Sequence, residues 1–553
     1  MNMNYDELET YVTTEYKRWE MATKNDAEFN AQLQALAGEN EELIDAFYCD
    51  LHFGTSGIRG VLGPGTNRMN EYVVKRTTLG LANYINKAYS AAKVVIAYDT
   101  RKKSKVFAEE TAKALSSKGI EAYLFPDIAP VSLLSYAIIA LECTMGIMIT
   151  ASHNPKIFNG YKVYNQHGYQ IVGEEARQIS KEIERLDYFD EVIEDNQRIH
   201  PVEEWVSAGF VDDIVKLSTK TNPQALKEIS IVYTPLNGTG NHYVREVLSK
   251  IGCTNVNVVE SQEQPNEEFT TCPVPNPEKI SVYAEAFKLL DQVKGDVIIA
   301  TDPDCDRVGV ALYHQGVKTL LTGNQVGILL FDYLCTVKKP NPGQMMIRSI
   351  VSTPLVDKIA KAIGLNVVTT LTGFKYIGEI ITELDKNGEL DQYYFGFEES
   401  NGYLIDGFVR DKDGVSTAMI TAEMAAYHHA NGKDLITRLK EIYRSFGNCF
   451  DKTNNFYFEG PSGRDAMKQI MEHFRSNVIT TIGKLQITKR IDYLEPTHLP
   501  KEDVLQYELE DGSVFIIRPS GTEAKIKVYL FETQKSSTLD LEIKRIIQEF
   551  KEE

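Results

Sequence analysis

The sequence predicts an α/β fold in several domains, closing on a smaller α+β domain. Three observations point there. Short continuous apolar runs of strand length alternate with helix-like segments, the pattern of α/β layers around a mostly parallel sheet. The chain has 553 residues, which at about 150 residues per domain suggests three or four domains. Beyond residue 455 the pattern changes to two strands around a glycine turn and a helical tail.

Taken in order, residues 1–48 read as helices. Leu8, Val12, Tyr16 and Trp19 recur at helical spacing with charges between them, which makes a packing arm, or alternatively a partner-binding helix. The runs 94–98, 146–149, 230–233 and 297–300 read as buried strands, several followed by polar or glycine-containing loops. In such sheets ligands collect beyond the carboxyl ends of the strands. The segments 94–101 and 297–307 echo each other, each an apolar run closed by an Asp with an Arg shortly after. Strands at 513–517 and 525–531 precede a helix over 538–551. The expected divisions are a helical extension at 1–48, α/β domains at 49–215, 216–325 and 326–455, and the C-terminal domain at 456–553.

Composition narrows the function. Hydrophobic residues are 43% and charged residues 25% of the chain, as in ordinary globular proteins, and the formal net charge is −19. A field of that sign repels nucleic acid and anionic membranes, so neither is an expected partner. It also repels a phosphorylated substrate, which must then be met by local Arg and Lys. Seven cysteines are scattered without CxxC or zinc spacing, which suits reduced thiols in a cytoplasmic protein. The N-terminus has no apolar signal core, and no stretch is long enough to span a membrane.

Three motifs carry chemistry. Thr150-Ala151-Ser152-His153-Asn154-Pro155 follows an apolar strand, and its Asn-Pro end favours a turn. That places Ser152 on a loop where a nucleophile can face a cleft; a plain turn with Ser and Asn bonding nearby backbone is the other reading. Asp302-Pro303-Asp304-Cys305-Asp306-Arg307 sets three carboxylates at alternate positions after a strand. Such a set suits a hard cation like Mg²⁺ and leaves room for another oxygen ligand. It is not an EF-hand, lacking that loop's glycine and distal Glu. A solvated acidic loop is the alternative. Arg518-Pro519-Ser520-Gly521-Thr522-Glu523 joins a guanidinium, two hydroxyls and a glycine turn, the makings of a phosphate site or simply of a hairpin. The segments 53–60 (FGTSGIRG) and 396–403 (GFEESNGY) add an Arg, two carboxylates and a serine. The turn at 234–240 reads as a plain strand-to-helix connection.

Together these segments resemble the α-D-phosphohexomutase superfamily, in its phosphoglucomutase/phosphomannomutase branch. The matches run in order: FGTSGIRG at 53–60, TASHNP at 150–155, DPDCDR at 302–307, TGFK at 372–375, GFEESNGY at 396–403 and RPSGTE at 518–523. The stretch NGYKVY at 159–164 and the helical extension resemble the longer type, which includes phosphopentomutase-like members. The resemblance implies four domains around a central cleft, three related α/β domains and a mobile C-terminal one. It implies that Ser152 is a phosphoserine and that Asp302, Asp304 and Asp306, with its phosphate, hold Mg²⁺. Glu398 and Ser400 would bind sugar hydroxyls. Arg518, Ser520, Gly521 and Thr522 would hold the phosphate that is not reacting. Arg59 and Arg307 would line the site, and His153, Lys162 and Lys375 are the candidates for moving protons.

The implied reaction interconverts glucose 1-phosphate and glucose 6-phosphate through glucose 1,6-bisphosphate, which also serves as activator. Small-molecule sugar phosphates are thus the expected partners. A phosphomannomutase or phosphopentomutase would use the same mechanism. A metal-dependent phosphatase would need no separate phosphate loop, and a non-catalytic sugar-phosphate binder would not need Ser152 and all three Asp residues.

Overall fold

The computed structural model describes residues 5–54, 56–193, 195–458, 460–476, 479–520, 525–535 and 538–552. These divide into two compact units. One comprises residues 1–320, 378–390 and 402–427, and the other 321–377, 391–401 and 428–553.

The first unit opens with three helices, Tyr5–Ala22, Ala27–Leu36 and Asn40–Phe47. Trp19 is fully buried among Phe29, Phe47, Tyr72, Tyr188 and Phe189, with ring centroids 5.1–5.9 Å away. The extension therefore shares one hydrophobic core with the α/β layer behind it. That layer is a six-stranded sheet. From edge to edge it runs Gly57–Val61, Phe158–Asn165, Met145–Ile149, Lys93–Tyr98, Glu121–Leu124 and Ile199–Pro201. A second sheet runs Val317–Leu320, Val308–His314, Val297–Thr301, Ile231–Thr234 and Val256–Val258. Strands Met145–Ile149 and Val297–Thr301 are buried along their whole length, which is why they read as continuous apolar runs.

Both sheets are mixed rather than mostly parallel. Phe158–Asn165 returns antiparallel to Met145–Ile149, and Val308–His314 antiparallel to Val297–Thr301. In each case the loop carrying the chemical motif is the connection between two adjacent antiparallel strands. Both of its ends are thus pinned in the same sheet.

The second unit holds three parallel strands, Asn366–Thr370, Met345–Ser349 and Tyr393–Glu398. It also holds an antiparallel sheet in the order Phe450–Tyr457, Lys525–Glu532, Val514–Pro519, Leu505–Leu509, Leu485–Asp492, Thr481–Ile482. The helices Gly460–Arg475 and Thr538–Glu552 pack on this sheet over a core centred on Phe474, Phe515, Ile517 and Ile543. This is the α+β pattern expected beyond residue 455. No helix among the described residues is long and apolar enough to cross a membrane, and all seven cysteines are free thiols.

Candidate active site

In the first unit, the loops after Met145–Ile149 and Val297–Thr301 bring Ser152 to the Asp triad. Ser152 Oγ donates to Asp302 Oδ2 at 2.8 Å and lies 3.1 Å from His153 Nδ1. Ligand oxygens of Asp302, Asp304 and Asp306 all fall within 4.8 Å of one another. All three side chains are buried, at 0, 0 and 2% exposure. Asp302 Oδ1 accepts the backbone N–H groups of Asp306 and Arg307 at 3.1 and 3.0 Å, which curls the loop back on itself.

The electrostatics of the triad are uneven. Burial, then the Asp304 and Asp306 charges, push Asp302 well above the usual carboxylate range. Asp304 is equally buried, but Lys162 Nζ at 2.8 Å draws it below that range. Asp304 Oδ1 and Asp306 Oδ1 are buried with no hydrogen-bond partner among the described residues. Orphaned carboxylate oxygens are costly in a protein interior. An all-oxygen set of three carboxylates with unfilled lone pairs fits a hard divalent cation. The group can therefore hold a metal.

Cations ring the triad. Lys162 reaches Asp304 and, at 3.8 Å, Asp306 Oδ2. Arg307 Nε sits 3.6 Å from Asp306 Oδ1, and its Nη1 donates to Glu278 at 3.2 Å. Arg59, on Gly57–Val61, donates to Asn154 Oδ1 at 3.1 Å. Desolvation, then the charges of Arg307, Arg59, Arg101 and Lys162, hold His153 well below its ordinary range, which favours the neutral imidazole.

Sequence reasoning missed Lys412. Its ammonium lies 3.3 Å from Asp306 Oδ2 and 2.8 Å from Asp411 Oδ1, and Asp411 also accepts from Tyr164 at 3.0 Å. The segment 410–414 wedges under the Asp-triad loop, with Gly414 N–H donating to Cys305 O at 3.0 Å. A Cβ at Gly414 would sit 2.5 Å from that oxygen. The turn at 234–240 supports the loop from another side. Thr239 N–H donates to Pro303 O at 2.8 Å, and a Cβ at Gly238 would come within 2.5 Å of Pro303 Cα. The available signals were a charge run closed by glycine before a buried helix, and two glycines in a turn read as plain.

The second unit gathers the remaining predicted residues. Glu398 ends the strand Tyr393–Glu398, and its Oε1 accepts Gly373 N–H at 2.6 Å, which ties the 396–403 turn to the TGFK segment. Ser400 Oγ donates to Glu399 Oε1 at 3.0 Å. Desolvation lowers Lys375, against the opposing pull of Glu502 and Glu398. Arg518, the second-to-last residue of the strand Val514–Pro519, has Nη1 3.6 Å from Glu502 Oε1. Ser520 N–H donates to Lys525 O at 2.8 Å, closing the hairpin. Gly521 and Thr522 lie outside the described residues.

Four family models match the chain. They are the phosphoglucomutase/phosphomannomutase alpha/beta/alpha domains I, II and III at residues 50–189, 208–315 and 322–446, and the C-terminal domain at 478–547. The chain is 34% identical over 510 residues to a phosphoglucomutase of Staphylococcus epidermidis, covering 89% of this chain and 92% of that one. It is 35% identical over 510 residues to a phosphoglucomutase of Staphylococcus aureus, covering 88 and 91%. Two solved structures share the fold. A phosphoglucomutase/phosphomannomutase family protein from Burkholderia thailandensis has TM-score 0.68 and 18% identity, covering 90% of this chain and 97% of that one. Parafusin from Paramecium has TM-score 0.68 and 17% identity, covering 91 and 96%.

Proposed function

The chain belongs to the phosphoglucomutase/phosphomannomutase family, and on that premise we propose that it interconverts glucose 1-phosphate and glucose 6-phosphate through a phosphorylated Ser152. It is a phosphohexomutase, an isomerase. The observation that carries the reading is Ser152 Oγ at 2.8 Å from Asp302 in a buried triad with orphaned oxygens. We assign the domains as 49–215, 216–325, 326–455 and 456–553, after the extension at 1–48.

In this reading Asp302, Asp304 and Asp306, with an oxygen on Ser152, hold Mg²⁺. When bound, that ion offsets charge on the transferring phosphoryl group. The rest falls to the chain's own residues. Ser152 gives its phosphoryl group to a sugar hydroxyl, making glucose 1,6-bisphosphate, and takes back the other phosphate. Lys162, 2.8 Å from Asp304, and His153, favoured as the neutral imidazole and 3.1 Å from Oγ, are placed to handle the hydroxyl proton. Lys375 is the third candidate for that role. Arg59 and Arg307 bring positive charge to an anionic substrate against the net field of the protein. Glu398 and Ser400 read sugar hydroxyls, a carboxylate accepting and a serine doing both. Arg518 and Ser520, with Gly521 and Thr522, hold the phosphate that is not reacting.

Glucose is preferred over mannose, with pentose the main rival, because the curated relatives at 34–35% identity are phosphoglucomutases. The deciding measurement is kcat/KM for glucose 1-phosphate against ribose 1-phosphate, with Mg²⁺ and the matching bisphosphate. A ratio above one is expected. A ratio below one makes the enzyme a phosphopentomutase and leaves the Ser152 chemistry standing.

A further inference from the structure

The apolar run at 94–98 ends in Asp99 and Arg101, the pair that echoes 297–307, and the chemistry above uses neither. Both side chains are fully buried. Arg101 Nη2 donates to the carbonyls of Ser152 and Asn154 at 2.5 and 2.6 Å. Its Nη1 donates to those of Pro155 and Phe158 at 3.0 and 3.1 Å. Three carbonyls of the loop and that of Phe158, which opens the next strand, thus converge on a single guanidinium. The Phe269 ring lies 5.4 Å from its Cζ, and Nε faces Asp99 Oδ2 at 3.4 Å.

Asp99 is fixed in turn. Its Oδ1 accepts Arg101 N–H at 3.0 Å and Ser104 Oγ at 2.7 Å, and its Oδ2 accepts Thr150 Oγ1 at 2.7 Å. Thr150 Oγ1 accepts Ser152 N–H at 2.8 Å. Ser152 is therefore gripped on both backbone groups, the N–H through Thr150 and the carbonyl by Arg101. Its φ is 51°, a left-handed conformation that strains a non-glycine residue. Such a conformation persists only where the surroundings over-determine it. Four carbonyl dipoles pointing inward repel one another unless a donor with several N–H groups in a fixed plane sits among them. A guanidinium is that donor and an ammonium is not.

We propose that Arg101, buttressed by Asp99, is the positioning residue of the phosphoserine loop, holding the left-handed backbone that aims Ser152 Oγ for phosphoryl transfer. The proposal rests on the reading of Ser152 as the phosphoryl carrier. When Ser152 is charged from glucose 1,6-bisphosphate, a sugar–oxygen to phosphorus bond breaks as the Oγ–P bond forms. The Oγ proton ends on the sugar oxygen. A misaimed Oγ slows this step without weakening the grip on the sugar.

The test is a single-turnover measurement of Ser152 labelling by radiolabelled glucose 1,6-bisphosphate in wild type, Arg101→Lys and Asp99→Asn. Arg101→Lys keeps a cation opposite Asp99 but cannot span four carbonyls. Its labelling rate should fall by about a hundredfold, the scale of a misplaced reacting atom. The half-saturating bisphosphate concentration should stay within about twofold, since the lost interaction acts on the transition state. Asp99→Asn should show a smaller loss, about tenfold, in the same rate, and it carries the test if Arg101→Lys does not fold. A purely structural role would instead lower the fraction of molecules that label, with a normal rate in those that do; that result overturns the proposal. So does labelling by Arg101→Lys at the wild-type rate. A wild type that takes no label on Ser152 brings down the phosphoserine reading and this proposal with it.

Discussion

The Ser152 cluster and the Glu398–Arg518 cluster both gather charged groups at strand ends, yet they are wired differently. Around Ser152 the Ser and Asp side chains are short and sit in a buried loop pair, Ser152 2.8 Å from Asp302, with Lys162 on the adjacent strand 2.8 Å from Asp304. Left-handed backbone stands at both Ser152 and Cys305. In the other cluster Glu398 is held at 2.6 Å by Gly373 N–H, but Arg518 meets Glu502 only at 3.6 Å. Atoms that change bonds are fixed in advance, because misplacement there costs rate directly. On the proposed reading, Arg518 holds a phosphate in either of two ligand orientations and keeps reach instead, because a fitted pocket would serve only one.

Substitution at Ser152 tests the fixed side hardest. Ser152→Ala should lose at least about a thousandfold in turnover, since it removes the hydroxyl that the proposed mechanism phosphorylates, the one hydrogen-bonded to Asp302. Circular dichroism should show an unchanged fold. Near-normal turnover of the purified variant would end the covalent mechanism. Asp304→Asn comes next. Removing one charged ligand of three should weaken Mg²⁺ activation and turnover together, by about a hundredfold. Metal titration of the two proteins measures this, and an unchanged Mg²⁺ dependence would reduce the triad to a structural loop.

The adaptable side should yield a milder phenotype. Arg518→Ala removes one charge-assisted contact worth about 1.5–3 kcal/mol, or roughly ten- to a hundredfold in apparent affinity for sugar phosphate. Charging of Ser152 by a small phosphoryl donor should suffer less. Wild-type saturation by sugar phosphate in the variant would sever Arg518 from substrate. Equal losses in both assays would erase the contrast between the clusters.

The same contrast explains what could be read in the chain beforehand. Val94–Tyr98 and Val297–Ala300 announced strands because every residue is buried, and each motif announced itself by standing at such a strand's end. Strand direction was not legible, since an apolar run reads the same whether its neighbour returns parallel or antiparallel. The two motif loops proved to be antiparallel returns. Ser152 and the triad were visible as local patterns. Lys412 was not, because its pairing with Asp306 joins segments a hundred residues apart, and a lysine between two aspartates looks like a solvated charge run. Arg101 appeared only as part of an echo, because its partners are backbone carbonyls that leave no mark in a sequence.

The smallest expected effect concerns Glu399, which sits in the adaptable cluster yet is wired like the fixed one. Its Oε2 is buried with no hydrogen-bond partner among the described residues. Burial, then the Glu398 charge, push its carboxyl from an ordinary 4.5 up to about 7, against the opposing pull of Lys527 and Arg518. Between those two values the folded unit keeps a proton that the unfolded chain has released. The stabilisation is full below about pH 4.5 and is lost as the pH rises through about 7. Glu399→Gln stays neutral throughout, so its advantage over wild type should be absent near pH 4 and grow to about 1–3 kcal/mol by pH 8. Thermal unfolding of both proteins across that range, without ligand, measures the difference. A constant offset at all pH values would mean that Glu399 is already ionised at pH 5. Arg518 and Lys527 would then hold it as firmly as Lys162 holds Asp304, and the two clusters would differ less than their geometry suggests.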